Sequence, residues 1–100
     1  MKVHSVKDIS DAVTKGMEEG GLILCEEDLS PIFFDLRSGL AGELLQKFVN
    51  YRVPLALVVK DPFAYNQRFG ELARELQKHS TVRVFPALET ASAWLESRRS

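Results

Sequence analysis

The chain has 100 residues, 13 Lys+Arg against 14 Asp+Glu for a net charge of −1, and 45% hydrophobic and 9% aromatic residues. That is the size of one domain, and so apolar a chain with only 6 Gly and 4 Pro describes a packed globule rather than a disordered tail, a collagen-like repeat or a low-complexity linker. The near-neutral balance removes the electrostatic argument for a nucleic-acid or membrane-surface partner. The single cysteine, Cys25, sits in an apolar run and cannot close a bridge within the chain, which points to a reducing, cytoplasmic compartment. No apolar run approaches the ~20 residues that cross a bilayer, and the start of the chain carries no signal-type apolar block.

In chain order, Val6, Ile9, Val13 and Met17 fall on one helical stripe, opened by Ser5 and Asp8 and stopped by Gly20-Gly21. Leu22 to Cys25 is a short continuous apolar run, as in a strand covered on both faces. Ser30-Pro31 opens a short helix to Leu36. A longer helix follows from about Ser38 to Tyr51, with Leu40, Leu44, Leu45, Phe48 and Val49 at helical spacing around Gly39 and Gly42. Val53 to Val59 reads as the second strand, with Pro54 near its start. Asp61-Pro62 opens a third helix along Tyr65, Phe69, Leu72 and Leu76, and Thr81 to Phe85 reads as a third strand with one wetter face. The last helix runs from about Leu88 to Ser97 with Leu88, Ala91, Trp94 and Leu95 inward and Arg98-Arg99 at its C-terminal end.

Strands separated by crossovers of this length lie parallel with right-handed connections. The fold class is therefore α/β: one small domain over residues 1–100, in the order α-β-α-β-α-β-α, with a mainly parallel three-stranded sheet packed by helices. So narrow a sheet leaves an exposed edge for an N-terminal strand, a partner chain or a charged cover to manage.

Ligand crevices in parallel sheets lie beyond the carboxyl ends of the strands. Here those ends are Glu26, Glu27 and Asp28, then Lys60 and Asp61, then Pro86, with the turn Asp35-Leu36-Arg37-Ser38-Gly39 on the same rim. The three acids invite a metal or acid–base reading, but no histidine stands near them, and the plainer reading is a solvated turn in which Asp28 or Ser30 caps the next helix. Ser38-Gly39-Leu40-Ala41-Gly42 is not a P-loop, since no Gly-Lys-Ser/Thr follows the glycines; the reading preferred is that Gly39, Ala41 and Gly42 let the helix approach the sheet closely.

Cys25 reads as a small core residue rather than a thiolate, His4 and His79 as capping groups, His79 as a charged imidazole at a helix end. Two histidines and one cysteine are too few for a zinc site. Lys47 and Arg52 are expected to balance Glu43 and its neighbours, with Phe48 buried, which argues against nucleic acid. Ile32, Phe33 and Phe34 cannot all face one core from a single helical turn, so one of them is expected to line a pocket or a partner surface.

The run from Phe33 to Arg52, Phe-Phe-Asp-Leu-Arg-Ser-Gly-Leu-Ala-Gly-Glu-Leu-Leu-Gln-Lys-Phe-Val-Asn-Tyr-Arg, closely resembles the signature of a bacterial family, domain of unknown function 4180. The resemblance extends to Ser5-Val6-Lys7-Asp8 with Asp11, to Pro31, and to Glu89, Ala91 and Trp94. The chain departs from the family's usual Gly-Asp-Phe after the second strand, with Lys60-Asp61-Pro62-Phe63, and from its acidic Asn-Arg-Gly type ending to the third helix, with Gln77-Lys78-His79-Ser80. It also starts close to the first helix, without a convincing strand before it.

More distantly, Asp28-Leu29-Ser30 and Ser38-Gly39-Leu40 are similar to motifs of STAS (anti-sigma-factor antagonist) domains. Leu36 and Arg37 stand where those domains carry an aspartate and a phosphorylated serine, so the phosphorylation switch does not carry over.

The expectation is a small cytoplasmic regulatory or protein-interaction module without catalysis and without a cofactor or metal. Its partner is a protein or a second copy of itself, not nucleic acid or membrane. The expected binding rim is Phe34, Asp35, Arg37, Ser38 and Glu43, with Lys60 and Asp61 opposite. The alternative is a small-molecule or anion binder, or weak enzyme, using Glu26, Asp35, Arg37 and Lys60.

Overall fold

The computed structural model describes residues 2–99, with the side chains of 2–98. Its main elements are α1 (Val6–Glu19), β1 (Leu22–Cys25), α2 (Pro31–Phe34), α3 (Leu40–Asn50), β2 (Leu55–Val58), α4 (Gln67–Glu75), β3 (Val82–Phe85) and α5 (Leu88–Arg99). Single 3-10 turns at Glu26–Asp28, Leu36–Ser38, Pro62–Ala64 and Leu76–Lys78 lie between them. The sheet order is β1-β2-β3 and both pairings are parallel, which bears out the α/β class.

Register and alternation settle which side chains meet. Leu22, Leu55 and Val82 stand side by side at the strand entries, and Cys25, Val58 and Phe85 at the exits. With a period of two, Leu24, Leu57 and Val84 face one side, where α3 and α4 close over them; Ile23, Ala56, Arg83 and Phe85 face the other, where α5 lies across all three strands. Phe33, Phe48 and Phe69 are fully buried in the core, a burial that contributes roughly 1.5–3 kcal/mol for each ring.

The first helix starts as its sequence implies: the Asp8 carboxylate accepts the backbone N–H groups of His4 at 2.8 Å and Ser5 at 3.1 Å. Its buried stripe differs. Val6 is 57% and Met17 56% exposed, and the inner face is Ile9, Ala12, Val13 and Gly16. Small residues win these positions because α1 lies tightly on α3: a Cβ at Gly16 would stand 2.7 Å from Val53 Cγ1 and 3.2 Å from Phe48. On the other face, Gly21, at φ +147°, leaves room for Leu95.

Gly39 and Gly42, expected to give a close helix–sheet approach, have nothing within 4 Å of an added Cβ. Gly39 instead supplies the left-handed conformation, φ 80°, between the 3-10 turn and α3.

Other elements also depart from expectation. The helix at Pro31 stops at Phe34, and α3 starts at Leu40 because Leu36–Ser38 forms a separate turn. Asp61-Pro62 opens only the 3-10 turn Pro62–Ala64; α4 begins at Gln67, capped by Asn66, so Tyr65 lies outside it. Val49 and Leu88 face solvent, while Ala91 and Leu95 are buried as expected and Trp94 is half-buried against Phe85 and Arg83.

Val3 is fully buried and forms a single parallel bridge with Leu29, so the segment before α1 does pair. Glu43, Lys47 and Arg52 form no ion pair with one another. His79 Nδ1 accepts the N–H groups of Thr81 and Val82, both at 3.1 Å, so the ring caps the entry to β3 rather than the end of the preceding helix. The guanidinium of Arg98 lies over Trp94; the expectation for the Arg99 side chain falls outside the described residues.

These contacts separate two glycines of similar sequence setting. Gly42→Ala, in open space on α3, is expected to raise stability by about 0.5–1 kcal/mol, and Gly16→Ala to lower it by about 1–2 kcal/mol because Val53 and Phe48 must give way. Urea midpoints of the two variants check this; equal shifts of one sign would contradict the packing.

Candidate functional site

The exits of β1 and β2 are tied together by one carboxylate. Glu26, the first residue after β1, accepts the Tyr65 hydroxyl at 2.5 Å through Oε1 and the Lys60 backbone N–H at 3.4 Å through Oε2. The Tyr65 ring stacks on Phe34, centroids 3.7 Å apart and 3° from parallel, and Phe34 in turn meets Phe33 and Phe69 edge-on. Next to this stack Asn66 makes two bonds: its Nδ2 donates to the Phe34 carbonyl at 2.8 Å, and its Oδ1 accepts the Phe69 N–H at 2.8 Å as the cap of α4. The loop after β2 and the turn after α2 therefore share one end of the molecule.

On that rim Asp35 and Arg37 serve each other. The carboxylate accepts the Arg37 backbone N–H at 3.1 Å, Nε at 3.1 Å and Nη2 at 3.4 Å. The hydrogen bonds from Arg37 hold the Asp35 carboxyl below its ordinary value. Ser38 is used up by its turn, its hydroxyl donating to the Ile32 carbonyl at 2.9 Å and accepting the Leu40 N–H at 3.2 Å.

Two clefts flank the rim. One, of about 390 Å³, is lined by Glu26, Phe34, Asp35, Tyr65 and Asn66 with Lys2 at its lip. The other, of about 400 Å³, is lined by Asp35, Leu36, Arg37, Asn66, Gln67 and Arg68. They share Asp35 and Asn66 and so adjoin, together making up the rim groove.

A family model described as domain of unknown function (DUF4180) matches residues 1–95. The chain belongs to that family. Neither a curated protein nor a solved structure matches it.

Within this DUF4180 chain the expected rim residues separate. Phe34 is 4% exposed and forms a wall of the groove, whereas Ile32, its neighbour in α2, faces solvent. Asp35 and Arg37 line the groove as a pair, and Ser38 is part of the turn beneath. Glu43, half-buried in the first turn of α3, lines neither cleft. Lys60 opens into a different cleft, beside α4, and Asp61 is exposed at the head of the Pro62 turn without a side-chain cap bond.

The acids after β1 do not act as a cluster. Asp28 turns back to accept the Cys25 N–H at 2.9 Å while Glu26 serves Tyr65 and Lys60, and among the described residues no group of three His, Cys, Asp or Glu side chains is placed to hold a metal. Ser30, the other expected cap, has its Oγ buried without a partner among the described residues. Burial, and then the charges of Glu27, Asp28 and Glu26, push the Cys25 thiol up, so it stays protonated rather than nucleophilic.

Tyr65, Asn66 and Arg68 are the groove residues that the helical pattern hid. Asn66, three residues ahead of the buried Phe69, was the available signal for a cap.

Two measurements probe this arrangement. The hydrogen bond to Glu26 and burial push Tyr65 up from 10.0 to about 12. A raised value in the folded state adds stability that is present below pH 10.0 and is lost as pH climbs towards about 12. In a Tyr51→Phe background, where Tyr65 is the remaining tyrosine, phenolate absorbance is expected to appear late, and Glu26→Ala to bring it back towards the ordinary value. Asn66→Ala removes both the cap and the bond to Phe34, at an expected cost of about 1–2 kcal/mol; Asn66→Asp, which keeps the cap acceptor, should cost less, as read from thermal melts.

Proposed function

We propose that this chain is a small regulatory or protein-interaction module, without catalysis of its own, whose strand-end rim receives a segment of a partner protein. The observation that carries the reading is the pair of adjoining clefts along Glu26, Tyr65, Asn66, Asp35 and Arg68. Two open clefts side by side suit an extended chain better than a compact metabolite.

Its walls suggest what that chain carries. Tyr65, 42% exposed above buried Phe34, is a flat aromatic platform, the kind of surface that anchors recognition. At the other end Arg68, which has no ion-pair partner among the described residues, offers donors to a carboxylate beside the paired Asp35 and Arg37. An apolar residue followed by an acidic one fits this order. A cytoplasmic setting agrees with a single protonated thiol, and among the described residues no helix is long and apolar enough to cross a membrane.

The rival arrangement, with Glu26, Asp35, Arg37 and Lys60 gathered around one small molecule, lacks support because Lys60 lies in another cleft and Asp35 and Arg37 satisfy each other.

Arg37→Glu combined with Arg68→Glu tests the proposal without disturbing the core, since both side chains are exposed. In affinity capture quantified by mass spectrometry, a partner held by the unchanged protein is expected to be retained about tenfold less by the double variant, as for charge reversal at an interface rim. Lys15→Glu, at the opposite end of the sheet, should leave retention unchanged. Phe34→Ala is the wrong probe, because removing a buried ring costs about 3–5 kcal/mol in stability. A wild-type chain that sediments as a monomer throughout and retains no partner would overturn the reading.

A further inference from the structure

Between α4 and the exits of β2 and β3 lies a third cleft, of about 200 Å³, which shares no lining residue with the rim groove. Its floor is apolar: Val59, Val84, Ala73 and the ring of Phe63. That ring lies directly on Gly70, where any Cβ would run into it, and the guanidinium of Arg74 sits 5.3 Å from its centroid. Lys60 and Arg74 both line the cleft, no acidic residue does, and neither cation has an ion-pair partner among the described residues.

Two cations with no counter-charge at an apolar hollow leave local charge for an anion to compensate. The Phe63 ring also holds the Arg74 guanidinium in place at the cleft, where it can offer charge-assisted hydrogen bonds to a carboxylate. Size narrows the ligand further, since a cavity of ~150 Å³ accommodates benzene. The position, outside the carboxyl ends of adjacent parallel strands, is where such sheets present ligands.

We propose that this cleft binds a small monocarboxylate with a flat apolar body, the ring or branch lying against Phe63 and Val84 and the carboxylate between Arg74 and Lys60. The site is separate from the partner groove, and its occupancy does not depend on that reading.

Calorimetric and NMR titration of the whole chain with phenylacetate tests it, with phenylacetamide and acetate as controls. Phenylacetate is expected to shift backbone amides of Phe63, Gly70, Arg74 and Gln77 and leave those of Arg37 and Arg68 in place. Removing the charge, as in the amide, or the ring, as in acetate, should each weaken binding at least about tenfold, the scale of one lost anchoring interaction. Arg74→Gln should produce a similar loss, as should Gln77→Glu, which adds an acid at the lip; both positions are exposed and leave the core intact. No binding of phenylacetate, equal binding of the amide or of acetate, or an Arg74→Gln variant with unchanged affinity would each overturn the proposal.

Discussion

The parallel register of three four-residue strands is the constraint on which the rest of the molecule depends. Leu22 pairs with Leu55 and Leu55 with Val82, and the pairing holds without a bulge to Cys25, Val58 and Phe85. Strands this short advance only about 13 Å, so equal lengths in register deliver all three exits to one edge. A slip of one residue would turn Leu55 and Leu57 away from α3 and α4 and expose the largest apolar surfaces of the sheet. It would also carry Lys60 away from Glu26, the contact that joins the first two exits. Both clefts of the rim and the separate cleft beside α4 exist because these loops are held at one level.

The two faces of that sheet are sealed by different means. On one, α3 and α4 bring large side chains, and α1 then packs against α3 through Gly16, where even a methyl group meets Val53. On the other, α5 alone crosses the strands, held by Ala91 and Leu95 and by the close approach of Leu95 to Gly21. The edge strand β3 is protected by chemistry as well as packing. Arg83 donates to the His79 carbonyl at 2.6 Å and lies 5.4 Å from the Trp94 ring, which places a fixed charge on an otherwise apolar strand. Charge on an edge discourages pairing with another sheet.

Much of this order was legible from spacing alone, because strand–helix alternation and crossover length leave few topologies. Helix starts marked by a paired signal, such as Ser5 with Asp8, were readable to the residue. Positions set by contacts distant in sequence were not. Periodicity placed Val6 and Met17 inward, whereas the tight approach of α1 to Val53 and Phe48 selected Ala12 and Gly16 for the inner face. Asp61-Pro62 has the composition of a helix start, yet the Asn66 cap, with its second bond to Phe34, begins α4 five residues later and releases Tyr65 to the groove. The candidate site suffered the same way: Asp35 and Arg37 were visible as charges, but only coordinates reveal that they neutralise each other and that Lys60 belongs elsewhere. The signature around Phe33 to Arg52, by contrast, identified the family before any geometry, since a long contiguous block does not depend on tertiary context.

What distinguishes the strand-end surface is the uneven satisfaction of its polar groups. The acceptors are largely occupied: Glu26 by Tyr65 and Lys60, Asp35 by Arg37, Asp28 by Cys25, and the Asn66 side-chain Oδ1 by Phe69. The cations are less so, for Arg68 beside the groove and Lys60 and Arg74 beside α4 have no carboxylate within ion-pair reach among the described residues. These three cations thus stand beside hollows at the strand-exit end with their charge not taken up by an internal partner. Incoming groups that accept hydrogen bonds or carry negative charge gain there without displacing an internal partner, while incoming cations would have to compete with Tyr65 for Glu26 or with Arg37 for Asp35. On the proposed readings the groove and the neighbouring cleft would each meet an incoming carboxylate with a cation that has no internal partner to give up, Arg68 at the rim and Lys60 with Arg74 beside α4.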